Sequence, residues 1–70
     1  MFNYSKLLGK FKEKGLTQEA VANAINISSV TLNKKLNNES EFKGSEMRAI
    51  LSVIDEGLDK LSVYFFNTNL

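Results

Sequence analysis

One stretch of the sequence places hydrogen-bonding side chains on one side of a predicted helix. Helix positions i, i+1, i+4, i+5 and i+8 share a side, and between residues 28 and 37 we call their occupants the polar face: Ser29, Val30, Asn33, Lys34 and Asn37. Four of the five can form hydrogen bonds, one is charged and none is acidic. Asn pairs with adenine, Lys pairs with the acceptors of guanine, and Val contacts the methyl group of thymine. The Ser hydroxyl can pair with a donor or an acceptor on a base. The face therefore suits the reading of base edges in DNA, and a chance polar surface is the alternative.

Other kinds of chemistry lack the side chains that they need. The 70 residues include no His and no Cys. Their absence excludes His general bases, Cys nucleophiles and disulfides, and it nearly excludes a structural zinc site. The four glycines are scattered and form no phosphate-cradling loop. We therefore expect a protein that is not an enzyme and that uses no cofactor, metal or small-molecule ligand.

Charge is unevenly distributed along the chain. Residues 1–38 carry six Lys and two acids, a net charge of +4, whereas residues 39–70 carry three basic and six acidic residues, a net charge of −3. A positive face can steer a protein towards a polyanion, although an unevenly composed solvated surface gives the same totals. No apolar run approaches the roughly 18 residues of a membrane span, and no signal-peptide core is present. We therefore expect a cytoplasmic protein that does not bind membranes.

Helices must position the polar face, and capping signals divide the chain into about five of them. The first, over residues 4–14, has an apolar side formed by Tyr4, Leu8 and Phe11, with Leu7 beside it. It ends at Gly15, which accepts a left-handed conformation. Its other side carries lysines every four residues, which can meet either phosphate or water: Lys6, Lys10 and Lys14.

Two short helices are predicted next, each with its own start signal. Thr17 caps a helix that ends near residue 25, and Ser28 caps the helix over residues 28–37, since both hydroxyls can accept from free N–H groups of a first turn. Asn26 lies between them, where Asn is the best residue after Gly for a left-handed turn. Two short helices joined by a turn of three or four residues form a helix-turn-helix pattern.

The remaining residues are predicted to complete the core. Ser45 is the expected cap of a fourth helix with the spacing i, i+3, i+4, i+7: Met47, Ile50, Leu51 and Ile54. Residues 58–66 suit a short closing helix, although residues 62–66 also have strand propensity. The surplus aromatic residues at its end are a candidate dimer patch: Tyr64, Phe65 and Phe66. The prediction is one compact all-α domain over residues 1–66, followed by a frayed tail over residues 67–70.

The segment from Thr17 to Asn37 resembles the helix-turn-helix of the phage Cro and CI repressor family. Six features carry the resemblance: Gln18 at the start of the second helix, small Ala22, apolar Ile25, Ile27 and Leu32, and Asn37 at the end of the third helix. Three further stretches are similar to short Cro-like regulators of phages that infect Gram-positive bacteria: Tyr4-Ser5-Lys6-Leu7, Lys35-Leu36-Asn37-Asn38 and Tyr64-Phe65-Phe66.

The sequence departs from the pattern of that family in two places. The turn has Asn26 where the family usually has Gly. Many members also have an apolar and then a polar residue where this chain has Lys35 and Leu36. The second departure predicts either a slight rotation of the third helix or a Lys35 that packs through its aliphatic stem.

The resemblance implies a lambda repressor-like DNA-binding fold that acts on double-stranded operator DNA. In a phage lysis–lysogeny switch, such a repressor occludes a promoter. The implied base contacts are Ser28, Ser29, Val30, Asn33 and Lys34. The expected phosphate contacts are Thr17, Gln18, Asn37 and Lys10. A homodimer on two half-sites would bind more tightly, and the alternative function is to bind and modulate a partner repressor, as an anti-repressor or co-repressor.

Overall fold

Local start and stop signals set the helices of the computed structural model, which describes residues 1–68. Within that range five α-helices follow one another: α1 Ser5–Glu13, α2 Gln18–Ala24, α3 Ser29–Leu36, α4 Gly44–Val53 and α5 Leu61–Phe65. A short 3-10 helix, Leu58–Lys60, precedes α5. The described residues contain no strand and only one isolated antiparallel bridge, between Phe2 and Thr68. The predicted all-α bundle of about five short helices is confirmed.

The predicted capping residues start α2 and α3. The Thr17 hydroxyl accepts from the N–H of Ala20 at 3.0 Å, and the Ser28 hydroxyl accepts from the N–H of Thr31 at 3.0 Å. Asn26 has a φ of 64°, as predicted for the turn. The N–H of Ile27 then donates to the Ala22 carbonyl at 2.9 Å, which closes the end of α2. These local bonds fix the turn between α2 and α3.

The core stripe of α1 differs from the prediction by one residue. Leu7 is fully buried, whereas Leu8 is 37% exposed. Residues i+3 and i+4 from Tyr4 lie on either side of one stripe, and only the position of the neighbouring helices decides which is covered. Leu7 therefore joins a core that draws on α1 to α5 and the loop before α4, with the following fully or almost fully buried members: Val21, Ala22, Leu32, Ile50, Leu51, Ile54 and Phe65.

The fourth helix begins one residue before its predicted cap. Ser45 was the expected cap, but α4 starts at Gly44 and its N-cap is Lys43. The reason is Glu46, whose carboxylate reaches back and accepts from the N–H of Lys43 at 2.8 Å. A Glu at the third helical position satisfies this first-turn donor without a hydroxyl at the cap.

The predicted aromatic dimer patch is wrong for two of its three residues. Residues 61–65 are helical, and Tyr64 and Phe65 are buried. The Phe65 ring lies edge-on to Phe42 with the ring centroids 5.2 Å apart. Edge-to-face packing is favourable for aromatic rings, so even a small bundle can bury several of them. Only Phe66 remains exposed, at 45%, with its ring edge-on to Phe2.

The predicted frayed tail is corrected for its first two residues. The N–H of Asn3 donates to the carbonyl of Asn67 at 2.6 Å, and Thr68 pairs with Phe2. Phe2 is itself held by the Asn38 amide, which donates to its carbonyl at 2.9 Å and accepts from its N–H at 3.0 Å. Residues 2–3 and 67–68 are thereby tied to the end of α3, and residues 69–70 of the predicted tail lie outside the described residues. No helix within residues 1–68 is long and apolar enough to cross a membrane.

Candidate nucleic-acid interface

The two sides of α3 have opposite characters. Leu32 and Leu36 are buried and anchor the helix to the core. All five residues of the polar face are exposed: Ser29, Val30, Asn33, Lys34 and Asn37. Val30 is 65% exposed, so its apolar side chain makes no large contribution to the core. The structure therefore brings the predicted polar face together on one solvent-facing surface.

A chain of side-chain amides joins α2 to α3 across this surface. Asn37 Nδ2 donates to Asn33 Oδ1 at 3.0 Å, and Asn33 Nδ2 donates to Gln18 Oε1 at 3.3 Å. We call these three residues the amide chain. The spacing of Asn33 and Asn37 could have indicated the first bond, since residues four apart meet on a helix. The second joins residues 15 apart in sequence and depends on how α2 packs against α3.

A shallow groove of about 440 Å³ runs between α2 and α3 beside the amide chain. It is lined by Gln18, Ser29, Val30, Asn33, Lys34 and Glu39. Sequence reasoning placed five of these residues in the site and missed Glu39. The N–H of Glu39 donates to the Lys34 carbonyl at 2.8 Å, and Asn38 before it has a φ of 63°. This turn at the end of α3 brings an exposed carboxylate to the edge of a face that is otherwise free of acids.

The capping hydroxyls of Ser28 and Thr17 differ in whether they make a second hydrogen bond within the protein. Ser28 Oγ donates to Thr31 Oγ1 at 2.8 Å while it accepts from the N–H of the same residue. While this bond is kept, Ser28 can meet a base through its remaining lone pair. The Thr17 hydroxyl accepts only as a cap. Its proton has no acceptor among residues 1–68 and can be donated to a phosphate oxygen.

Lys10, an expected phosphate contact, is engaged elsewhere. Its ammonium lies 3.3 Å from the Glu13 carboxylate and 3.4 Å from that of Glu56. The hydrogen bond that Lys10 donates to the Glu13 carboxylate is the largest cause that raises the pKa of Lys10, and the bond to Glu56 adds to it. The sequence shows the row of lysines. It does not show that the carboxylate of Glu56, 46 residues from Lys10, lies beside that row in the folded protein. The expected contact of Lys10 with a phosphate therefore requires these ion pairs to open.

Lys35, for which the sequence predicted either a rotated helix or a contact through the aliphatic stem, is buried. It is only 6% exposed. Its ammonium lies 3.0 Å from the Glu46 carboxylate and donates to the Glu41 carbonyl at 2.9 Å. The side chain therefore faces inward and fastens α3 to the start of α4, rather than resting on its aliphatic stem alone.

The same contacts control the titration of Glu46. Burial alone would raise the pKa of its carboxyl group, but the N–H of Lys43 and the hydrogen bond and charge of Lys35 outweigh that effect. The pKa of Glu46 is therefore lowered. No group of three or more His, Cys, Asp or Glu residues among residues 1–68 is placed to hold a metal ion.

These features define a small all-α protein in which α2 and α3 form a helix-turn-helix and α3 carries the exposed polar face. The chain belongs to a family described as a protein of unknown function, DUF739, whose family model matches residues 1–68. A search of curated proteins finds no match to the chain.

Proposed function

We propose that the protein is a sequence-specific DNA-binding regulator of transcription in which α3 enters the major groove. The observation that carries the proposal is the exposed polar face of α3, which has one cation, three residues with amide or hydroxyl groups and no acid of its own. A major groove about 12 Å wide admits an α-helix. An acid-free helix face is favourable there because phosphates surround the groove.

Each side chain has a role that its chemistry and exposure support. Base edges are contacted by Ser29, Val30, Asn33 and Lys34, with Ser28 as a cap that keeps a lone pair. Phosphates are contacted by Thr17, Gln18 and Asn37. Gln18 uses only its Oε1 in the amide chain, so its Nε2 donors remain for a phosphate oxygen.

The resemblance to short Cro-like regulators supports a more specific proposal. The protein would act in the cytoplasm of a bacterium that carries the phage, where it would occlude a promoter by occupying an operator. A chain of this size offers one reading helix, and a homodimer on half-sites about 34–36 Å apart would present two. The exposed ring of Phe66 beside Phe2 is what remains of the predicted dimer patch.

The direct test is selection of duplexes from a random pool, followed by fluorescence anisotropy with a selected and a scrambled duplex. Specific sites are bound at least about 10³-fold more tightly than non-specific DNA by proteins of this kind. We expect enrichment of one sequence and a difference of that order. Equal affinity for the two duplexes would contradict the proposal.

A matched pair of lysine variants localises the interface. Lys34→Ala and Lys60→Ala each remove one exposed lysine, but only Lys34 lines the groove. We expect Lys34→Ala to weaken binding to the selected duplex by about 1–3 kcal/mol and Lys60→Ala to leave it unchanged. Equal losses would show that the lysines act only through net charge.

Binding to a partner repressor is the second candidate function. It is favoured by exposed apolar side chains outside the groove: Met1, Leu8 and Phe66. A gel shift of the operator duplex with the protein alone, and then with a repressor encoded beside it, separates the two functions. A shift that appears only with the repressor would favour the second.

A further inference from the structure

The hydrogen-bonding capacity of Asn33 is half used within the protein. A side-chain amide has two N–H donors and two acceptor lone pairs. Gln18 takes one donor of Asn33, and Asn37 occupies one of its lone pairs. One donor and one acceptor remain on an exposed side chain. Turning all three amides over would reverse both bonds and leave Asn33 with the same donor and acceptor.

The free donor and the free acceptor of Asn33 match the major-groove edge of one base. In the major groove adenine offers an acceptor, N7, beside a donor, N6–H. Guanine offers two acceptors, so its O6 would face the Asn33 oxygen without a proton between them. Cytosine offers a donor, and thymine an acceptor with a methyl group. Only adenine satisfies both remaining groups of Asn33 at once.

We propose that Asn33 reads the adenine of an A·T pair and that Gln18 and Asn37 are positioning residues for its amide. The inference rests on the proposed DNA-binding function and names the base at one position of the site. Bonds on two sides fix the plane of the amide before DNA arrives, so less side-chain freedom is lost on binding. Gln18 thereby combines two tasks, since its Oε1 orients Asn33 while its Nε2 is available for phosphate.

The base assignment is tested on the selected duplex with single base-pair changes and with 7-deazaadenine, which lacks the N7 acceptor. At one position per half-site, we expect loss of the A·T pair to weaken binding of the unaltered protein about 5- to 150-fold. The 7-deazaadenine substitution at that position is expected to weaken it about fivefold, the effect of one hydrogen bond. Asn33→Ala should bind all of these duplexes equally, because it makes neither bond.

The positioning roles are tested with two substitutions of Gln18 and one of Asn37. Gln18→Glu keeps an oxygen that accepts from Asn33 but loses the amide donors, so it should weaken all duplexes and keep the adenine preference. Gln18→Ala and Asn37→Ala should each reduce that preference severalfold. If Gln18 only contacts phosphate, Gln18→Ala will weaken every duplex alike and keep the preference.

The outcomes separate this inference from the proposed function. Specific binding that persists with an unchanged adenine preference in Asn33→Ala would overturn the inference and leave DNA binding intact. Failure to enrich any duplex would overturn the proposed function, and the inference with it. Circular dichroism and thermal melting of each variant check folding, which we expect to be unchanged for Asn33→Ala because the side chain is exposed.

Discussion

Glu39 is the one acid that lines the groove, and it gives a prediction at the scale of a single residue. Glu39→Gln removes a negative charge beside the expected path of the phosphates. A charge at the protein surface interacts with another several ångströms away by about 1 kcal/mol or less. We expect the variant to bind all duplexes about two- to threefold more tightly, as measured by anisotropy at low salt.

The control for this prediction is Asp59→Asn, which removes an exposed charge from the 3-10 helix. It should leave the affinity unchanged. Weaker binding by Glu39→Gln would instead mean that the carboxylate accepts a hydrogen bond from a base, such as the N4 donor of cytosine.

Residues whose roles are local could be predicted from the sequence. Thr17, Ser28 and Asn26 each act within a few residues of the chain, through a cap or a left-handed turn. Pairs that meet only in the folded state could not be predicted. The carboxylate of Glu56 forms an ion pair with Lys10 across the bundle, and Gln18 reaches Asn33 only because α2 packs on α3. Their partners follow from packing, which residue types and helical spacing do not specify.

At the scale of elements, the contact between Lys35 and Glu46 holds α3 to α4. Lys35→Met would leave the largely buried Glu46 carboxylate without its cation and the Glu41 carbonyl without its donor. Removal of one partner of such a pair lowers the free energy of unfolding by about 3–5 kcal/mol. Urea denaturation at pH 7 measures this loss, which is large for a domain of this size.

The same variant has a predicted pH dependence. The folded-state pKa of Glu46 is lowered from 4.5, so its stabilisation is present above that pH and is lost as the pH falls through the folded-state value. The difference in stability between the unaltered protein and Lys35→Met should therefore shrink between pH 7 and pH 3. A constant difference would contradict the assigned role of the ion pair.

A double variant keeps this prediction measurable if Lys35→Met alone unfolds. Glu46→Gln added to Lys35→Met removes the unpaired charge and keeps an oxygen that can accept from the N–H of Lys43. We expect it to recover most of the lost stability. No recovery would show that the charge of Glu46 is not the source of the loss.

The crossing of α2 with its neighbours gives a second prediction at this scale. Ala22 is fully buried, whereas Ala24 lies exposed on the same helix. Ala22→Leu should overfill the crossing and lower the free energy of unfolding by about 1–3 kcal/mol, while Ala24→Leu should have little effect. Equal melting temperatures for the two variants would argue against a close crossing at Ala22.

At the scale of the whole molecule, the charge available for DNA is smaller than the sequence indicates. Of the six lysines in residues 1–38, three lie within ion-pair distance of carboxylates: Lys10, Lys14 and Lys35. The logarithm of the binding constant falls with the logarithm of the salt concentration by about 0.9 for each phosphate neutralised. We therefore expect a slope no steeper than about −3 per protomer in a salt titration, and a much steeper slope would show that these ion pairs open on DNA.

The overall architecture was the most predictable property of this molecule. Helical apolar spacing and the caps at Thr17 and Ser28 gave the order of the helices, because these signals lie within each element. The packing of the residues before α1 and of the aromatic residues in α5 was less predictable. Asn38 holds the backbone of Phe2, 36 residues away, and Tyr64 and Phe65 turn inward. Their aromatic composition alone is equally consistent with an exposed patch.

The central claim is that the polar face of α3 is the surface that meets DNA. Its most direct test is a titration of isotope-labelled protein with the selected duplex, followed by backbone and side-chain amide shifts in NMR spectra. We predict shifts concentrated at residues 17, 18 and 28–39, including the side-chain amides of Gln18, Asn33 and Asn37. Shifts confined to the apolar surface around Met1, Leu8 and Phe66, with α3 unchanged, would contradict the claim.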